Sequence, residues 1–224
     1  MRRLFVFRPE PGATTTVTKA RSLGLDAVGL PLFRVDPVEW RAPDPSRFDA
    51  LLLTSANAVR LAGSQLDRLR RLPVHAVGEA TAVACEVAGL GVASVGKGGL
   101  DELLATIAPE ARLLHLCGQD RRDPREPRQA ITCVTVYRSN ALPAPQGIGQ
   151  LSGAVALVHS PRAAARLAEL VPVEARSTVR LAAISEAAAH EAGAGWERVE
   201  AAGSPEDDAL LAVASRLCDK GRQQ

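Results

Sequence analysis

Apolar residues in this chain gather into short unbroken runs, separated by longer stretches of helical periodicity. Leu4–Phe7, Leu51–Leu53, Val74–Val77, Val92–Val95, Leu113–Cys117, Val155–Val158, Leu181–Ile184 and Trp196–Val199 read as strands. Their apolarity is continuous rather than alternating, which fits strands buried on both faces of a parallel sheet. Helical spacing covers Thr14–Leu23, Asn57–Leu72, Ala80–Ala88, Leu100–Ile107, Arg162–Leu170, Glu186–Glu191 and Glu206–Cys218. Gly89 and Gly91 follow one helix, and Gly193 and Gly195 follow another, as helix stops do. Ser204-Pro-Glu-Asp207 reads as a capping box with proline at the first helical position. Alternating strands and helices predict an α/β fold with parallel sheets flanked by helices.

The pattern also repeats. Leu51-Leu-Leu-Thr-Ser-Ala-Asn-Ala-Val-Arg-Leu-Ala62 returns about 105 positions later as Ala156-Leu-Val-His-Ser-Pro-Arg-Ala-Ala-Ala-Arg-Leu167. Val74–Ala82 answers Arg180–Ala188, and Gly98–Leu104 answers Gly203–Leu211, at nearly the same offset. A duplicated unit predicts two similar lobes with a cleft between them. Two segments break the alternation. Leu30–Val38 and Ile131–Ser139 are β-rich, and each runs into a proline-studded stretch, Arg41–Ser46 and Ala141–Gln146. The simplest topology inserts one lobe into the other. Residues 40–130 form the inserted lobe, and residues 1–34 plus 140–224 form a discontinuous one. Segments 32–38 and 131–139 cross between them as a two-stranded β-ladder. A tandem arrangement is the alternative.

Composition narrows the function classes. The chain has 224 residues, 46% hydrophobic and 23% charged, with a formal net charge of +2. That charge, with only 3% aromatic residues, offers neither an electrostatic footprint nor a stacking surface for nucleic acid. The N-terminal apolar run is too short for a signal peptide, and no run reaches the ~20 residues of a membrane helix. The expectation is a cytoplasmic monomer with no nucleic-acid or membrane partner. Cys85, Cys117, Cys133 and Cys218 show no metal-ligand spacing and read as reduced core thiols, so no metal site is expected.

Candidate chemistry lies at the carboxyl ends of the strands, where open α/β sheets bind ligands. Thr54-Ser-Ala-Asn57, Gly78-Glu-Ala-Thr81, His159-Ser-Pro-Arg162 and Ser185-Glu186 stand there. A helix starting at such a turn presents unpaired N–H groups and partial positive charge, which suits an anion. Ser55, Ser160 and Ser185 are also good helix caps, so their hydroxyls have two possible uses. Four such turns, two per lobe, suit a ligand with several separated negative groups. There is no phosphate loop, G-x-G-x-x-G, G-x-S-x-G or H-E-x-x-H motif. A nucleotide or phosphosugar enzyme is therefore disfavoured. His75 and His115 lie inside strands as core or edge residues, His190 falls on a solvated helix face, and His159 precedes a turn serine. Arg8, ending the first strand, is a plausible carboxylate clamp, or else a surface ion pair. Gly118 permits close backbone approach of a ligand, or simply makes a turn before Arg121 and Arg122. Tyr137, the only tyrosine, is a packing residue or a proton donor to a leaving oxygen.

The ordered series resembles the uroporphyrinogen-III synthase family over nearly the whole chain. It rests on Phe7-Arg-Pro9, Leu53-Thr-Ser-Ala-Asn57, Val77-Gly-Glu-Ala-Thr81, Ala88-Gly89, Leu116-Cys-Gly118 and Val136-Tyr137. Val158-His-Ser-Pro161, Ile184-Ser-Glu186 and Gly203-Ser-Pro-Glu206 echo these in the second half. The resemblance implies a two-lobed enzyme that needs no cofactor. It would take hydroxymethylbilane, a linear tetrapyrrole with eight carboxylates, remove water, and close the ring with the terminal pyrrole inverted. Thr54, Ser55, Asn57, Gly78, Thr81, Gly118, Ser160 and Ser185 would then bind the substrate, chiefly its acetate and propionate groups. Arg8 would pair with a carboxylate, and Tyr137 would be catalytic, helping the hydroxyl depart. The chain departs from the family pattern in two places. Alanine stands at 187 and 188 where a threonine is usual, and Asp120–Pro127 is short, charged and proline-interrupted where a helix is usual. The competing reading is a non-catalytic two-lobed binding protein or sensor for a small polyanion.

Overall fold

The computed structural model of the chain describes residues 1–121 and 123–219, so Arg122 lies outside the described residues. The chain begins with β1 (Leu4–Phe7), α1 (Gly12–Ser22), β2 (Ala27–Gly29) and β3 (Phe33–Pro37). Next come β4 (Ala50–Leu53), α2 (Ala56–Leu61), β5 (Val74–Val77), α3 (Glu79–Val87), β6 (Val92–Gly96) and α4 (Leu100–Ala105). Then follow β7 (Arg112–Gly118), β8 (Ala130–Ala141), β9 (Val155–Val158), α5 (Pro161–Leu170) and α6 (Val173–Arg176). The last elements are β10 (Arg180–Ala183), α7 (Glu186–Glu191), β11 (Arg198–Ala201) and α8 (Asp207–Cys218). No helix among the described residues is long and apolar enough to cross a membrane.

The chain divides into two compact units. One comprises Met1–Arg34 with everything from Ala141 onward, and the other Val35–Asn140. The discontinuous unit holds a parallel sheet in the order β2-β1-β9-β10-β11. Its inner strands β1, β9 and β10 are apolar on both faces because both faces are covered. Phe5, Phe7, Ala156, Val158, Leu181 and Ala183 pack against Ala163, Ala164 and Leu167 of α5 and Ala188 of α7. The alternate residues Leu4, Val6, Val155, Leu157 and Ala182 pack against Val17 and Ala20 of α1 and Leu210, Leu211, Ala214 and Leu217 of α8. Successive strand side chains point to opposite faces, so an unbroken apolar run feeds both layers. Each fully buried leucine or phenylalanine contributes roughly 1.5–3 kcal/mol.

The inserted unit contains the order β3-β8-β7-β4-β5-β6, parallel from β8 to β6. Leu51, Leu53, Val74, Ala76, Leu114 and Leu116 pack beneath α2 and α3 in a large cluster. The opposite face is thinner, with Ala50, Leu52 and Leu113 meeting Leu103, Leu104 and Ile107 around α4 and a few partly buried apolar neighbours. The twelve-residue β8 is the longest strand and joins β7 on one side to β3 on the other. The Val38 N–H donates to Val136 O and the Leu142 N–H to Leu32 O, so β3 and β8 run in opposite directions. Asn140 Nδ2 donates to Asp36 Oδ2 at 2.7 Å in the same ladder.

The strand orders explain the sequence repeat. β6-β5-β4-β7-β8 in one sheet corresponds position for position to β11-β10-β9-β1-β2 in the other. In the discontinuous unit, however, the strand corresponding to β7 comes first in the chain. One helix has no counterpart: α1 links β1 to β2, but no helix joins β7 to β8 among the described residues. The prolines and charges of Asp120–Pro127 predict that loss. Buried Gln129 anchors the end of the loop by donating to Leu104 O and Ile107 O at 2.9 and 2.8 Å.

Several expectations need correction. The segment Asn57–Leu72 is not one helix: α2 ends at Leu61, and Gly63 adopts φ +64° before a 3-10 segment over Gly63–Leu69. Trp196 precedes its strand; it is a core residue whose indole donates to Ala192 O at 2.9 Å. The capping box does not form. α8 begins at Asp207, and Glu206 makes no side-chain cap. The short β2 and α6 were not anticipated. Leu157 has no exposed surface. Leu157→Ala is expected to lower stability by about 2–5 kcal/mol, read as a lower urea midpoint with unchanged slope.

Candidate functional site

In the discontinuous unit the winding direction reverses between β1 and β9. Loops leaving those two strands diverge, and that crevice is where doubly wound sheets hold ligands. Arg8 follows β1, and His159 and Ser160 follow β9. They converge with the start of α8. His159 Nε2 lies 2.7 Å from Asp207 Oδ1, and Arg8 Nη1 donates to the same oxygen at 3.2 Å. The hydroxyl of buried Thr16 donates to the Asp207 carboxylate at 3.0 Å and accepts from Arg8 at 3.1 Å. Asp207 is thus drawn into the crevice instead of completing a capping box.

The electrostatics follow from burial. Desolvation lowers the His159 pKa, against the raising effect of Asp207. Burial raises the Asp207 carboxyl, but the hydrogen bond and charge of His159, the charge of Arg8 and the Thr16 bond outweigh it, and the net shift is downward. A histidine kept neutral supplies no charge, so Arg8 is the standing cation opposite Asp207. The buried Nδ1 of His159 has no hydrogen-bond partner. With Nε2–H donated to Asp207, that atom is an unused acceptor. Arg8, expected as a carboxylate clamp, already spends one nitrogen on Asp207 and remains about one-third exposed at its side chain (36%).

The equivalent reversal in the inserted unit lies between β4 and β7. Thr54 and Ser55 follow β4, and Gly118 ends β7. The Thr54 hydroxyl lies 3.1 Å from His115 Nε2. Gly118 and Tyr137 are brought together by a register shift: Cys117 pairs with Thr135, but Gly118 pairs with Tyr137. A Cβ on Gly118 would lie 2.7 Å from the Tyr137 ring and 2.9 Å from its hydroxyl oxygen. The tyrosine ring therefore lies against the glycine and also packs against the unit's main apolar cluster.

The turn serines divide their hydroxyls. Ser55 Oγ accepts from Asn57 N–H, Ser160 Oγ from Ala163 N–H, and Ser185 Oγ from Ala188 N–H, at 3.2, 3.1 and 3.3 Å. Each cap uses an acceptor lone pair and leaves the O–H free to donate, as a carboxylate ligand requires. Gly78 opens α3 with φ +89°, a conformation L side chains rarely adopt. Thr81 is buried on α3, away from the exposure expected of a binding hydroxyl.

The expectation of four core thiols and no ligand cluster is corrected at one place. Cys85, Cys117 and Cys218 are buried, but Cys133 is exposed. Pairing of β7 with β8 sets His115 opposite Cys133, with Cys133 Sγ 3.8 Å from His115 Nδ1. His115, Cys117 and Cys133 bring their ligand atoms within 4.8 Å of one another. Burial pushes the His115 pKa down to about 4 and raises the Cys117 thiol. His115-x-Cys117 alternation on a strand already signals a shared face, whereas nothing in the spacing points to Cys133. Asp207 and Thr16 were likewise missed, since their meeting depends on tertiary packing alone.

Two open, doubly wound sheets in corresponding strand order, with serine-capped helix starts at their strand ends, define a duplicated α/β protein. The profile of the family described as uroporphyrinogen-III synthase HemD matches residues 14–212, and the chain belongs to that family. The fold is similar to the crystal structure of uroporphyrinogen-III synthetase from Helicobacter pylori 26695, at TM-score 0.68 and 18% identity, covering 97% of this chain and 100% of that one. A mutant uroporphyrinogen III synthase from the extremely thermophilic bacterium Thermus thermophilus is similar at TM-score 0.52 and 18% identity, covering 96% and 98%. No curated protein matches the chain. The activity is that of a lyase in porphyrin and haem biosynthesis, the dehydrating cyclisation of hydroxymethylbilane with inversion of its terminal pyrrole.

Two outcomes follow from this geometry. His75, His115 and His159 all have folded pKa values below the ordinary histidine value near 6.5, with burial the leading cause. Below that value the unfolded chain binds more protons than the folded one, so stability falls as pH drops from 6.5 toward 4. Urea midpoints in chelator-treated protein are expected to be lower at about pH 5 than at about pH 7.5. Gly118→Ala is expected to displace the Tyr137 ring and lower kcat while leaving the far-ultraviolet circular dichroism unchanged.

Proposed function

We propose that this chain carries out its family's ring closure with Tyr137 as the catalytic proton donor and with the strand-end turns as carboxylate sites. The observation that carries the assignment is the stacking of Tyr137 on Gly118 at the winding reversal of the inserted unit. A tyrosine held there, on the strand next to β7, can protonate a departing hydroxyl so that it leaves as water. With inversion, the terminal pyrrole's substituted α-carbon bonds the new methylene and gives up its old bridge, which re-forms at the free α-carbon. That carbon loses its proton, which restores the tyrosine, so the overall cyclisation is proton-neutral. Ser55, Ser160 and Ser185 each donate a free O–H to an acetate or propionate. The backbone N–H groups beside Asn57 and Gly78 donate to further carboxylates, and Arg8 adds positive charge next to Ser160. Thr54 and Thr81 act through the turns they support. The substrate is intrinsically reactive, so its orientation matters more than any one acid or base. We further propose a monomeric cytoplasmic enzyme that uses no cofactor and no nucleic-acid partner.

The decisive assay supplies enzymatically generated hydroxymethylbilane and separates the ring isomers. The expected product is the type III isomer; type I alone would make the chain a binder of small polyanions. Tyr137→Phe is expected to lower kcat about 10- to 100-fold, short of the full general-acid range because the substrate is activated. Type III product should persist, and unchanged kinetics would remove Tyr137 from the mechanism.

A further inference from the structure

The inserted unit has an uncovered place on its sheet. In the discontinuous unit, α1 spans from β1 to β2 and packs over Gly29, where an added Cβ would touch Ala13 and Val17 at 3.7 and 3.8 Å. The strand registers make Cys133 the equivalent of Gly29 and His115 the equivalent of Val6. No helix covers that position in the inserted unit among the described residues, and Cys133 is exposed there. Apolar burial is replaced by two thiols and an imidazole.

From this arrangement we infer that His115, Cys117 and Cys133 form a three-ligand site for a soft divalent cation, zinc by preference, which staples β8 to β7 in place of the missing helix. Thiolates and imidazole are the ligand set that selects such ions. Tetrahedral zinc, with Zn–S ~2.3 Å and Zn–N ~2.0–2.1 Å, places neighbouring ligand atoms about 3.5–3.8 Å apart. Cys133 Sγ and His115 Nδ1 already stand at 3.8 Å, and the widest separation in the group is within 4.8 Å. Closing the set requires a movement of only about 1 Å at Cys117, whose thiol makes a weak 3.5 Å bond to Val134 O. The other imidazole nitrogen faces the Thr54 hydroxyl at 3.1 Å. That is the outer-shell hydrogen bond that directs a liganding histidine, leaving Nδ1 free for the metal. Arg121 lies near both thiols, and its charge is paired with Asp123 at 2.9 Å.

A disulfide is the competing use of the two cysteines. Cys117 pairs across the strands with Thr135, so Cys133 is its diagonal neighbour. In a parallel pair, a strand spacing of about 4.8 Å and a two-residue rise of about 6.6 Å set diagonal Cα atoms about 8 Å apart, beyond the usual disulfide span of about 4.4–6.8 Å. A metal ion holds two sulfurs about 3.8 Å apart, against about 2.05 Å for a disulfide, and so needs the smaller movement.

The test uses the full chain, reduced and stripped with chelator, titrated with Co²⁺ and then with Zn²⁺. The expected result is saturation at one Co²⁺ per chain with thiolate-to-cobalt charge-transfer absorption, abolished by one equivalent of Zn²⁺. Cys133→Ser, at an exposed position, should keep the native circular dichroism yet bind at least about tenfold more weakly. Zn²⁺ should also slow alkylation of Cys133 in the unsubstituted protein. Absence of saturable charge-transfer absorption, or the same absorption in Cys133→Ser, overturns the site. So does an alkylation rate that Zn²⁺ does not change. None of these readouts requires turnover, so the site and the proposed catalytic role of Tyr137 stand or fall separately.

Discussion

A parallel sheet buried on both sides demands that its inner strands be apolar on both faces and that something cover each face. The rest of this molecule depends on that demand. In the discontinuous unit it is met by α5 and α7 on one side and α1 and α8 on the other. Those two layers fix the strand ends, and the strand ends fix the turns that bear Arg8, His159, Ser160 and Ser185. In the inserted unit the second layer is incomplete, since α4 spans six residues against twelve for α8. Polar and sulfur-bearing side chains take over where apolar cover stops.

The two winding reversals have become chemically different although they occupy the same place in the fold. One holds an arginine, a neutral histidine and a carboxylate in a mutually bonded group. The other holds a threonine, a buried histidine and a glycine against which a tyrosine packs. Thr54 and His159 occupy equivalent positions, so duplication supplied the geometry and substitution supplied the difference. One half pairs charge around Asp207, and the other packs a phenol against a glycine.

Much of the architecture was legible in the sequence because runs such as Leu51–Leu53 and Val155–Val158 can be little else than doubly buried strands. Their nearly constant offset revealed the duplication. Short or conformationally special elements were not legible. β2 is only Ala27–Gly29, too brief for any periodicity, and the end of α2 depends on one left-handed glycine, Gly63. The turn serines could be placed by position, but their use as caps became evident only from their N–H partners. Asp207 reads locally as part of a capping box, and only tertiary contact with Thr16, Arg8 and His159 shows otherwise. Cys133 acquired its neighbours by strand pairing across a loop, a relation no linear spacing encodes.

The permuted strand order bears on the birth of the protein at the ribosome. Every strand of the inserted unit has been made once Asn140 has emerged, so that unit can complete its sheet while synthesis continues. β1 is translated first, yet its partner β9 begins at Val155 and the edge strand β11 ends at Ala201. The apolar segment Leu4–Phe7 can therefore pair only with the short β2 until the last third of the chain arrives, and it is the stretch most in need of chaperone protection.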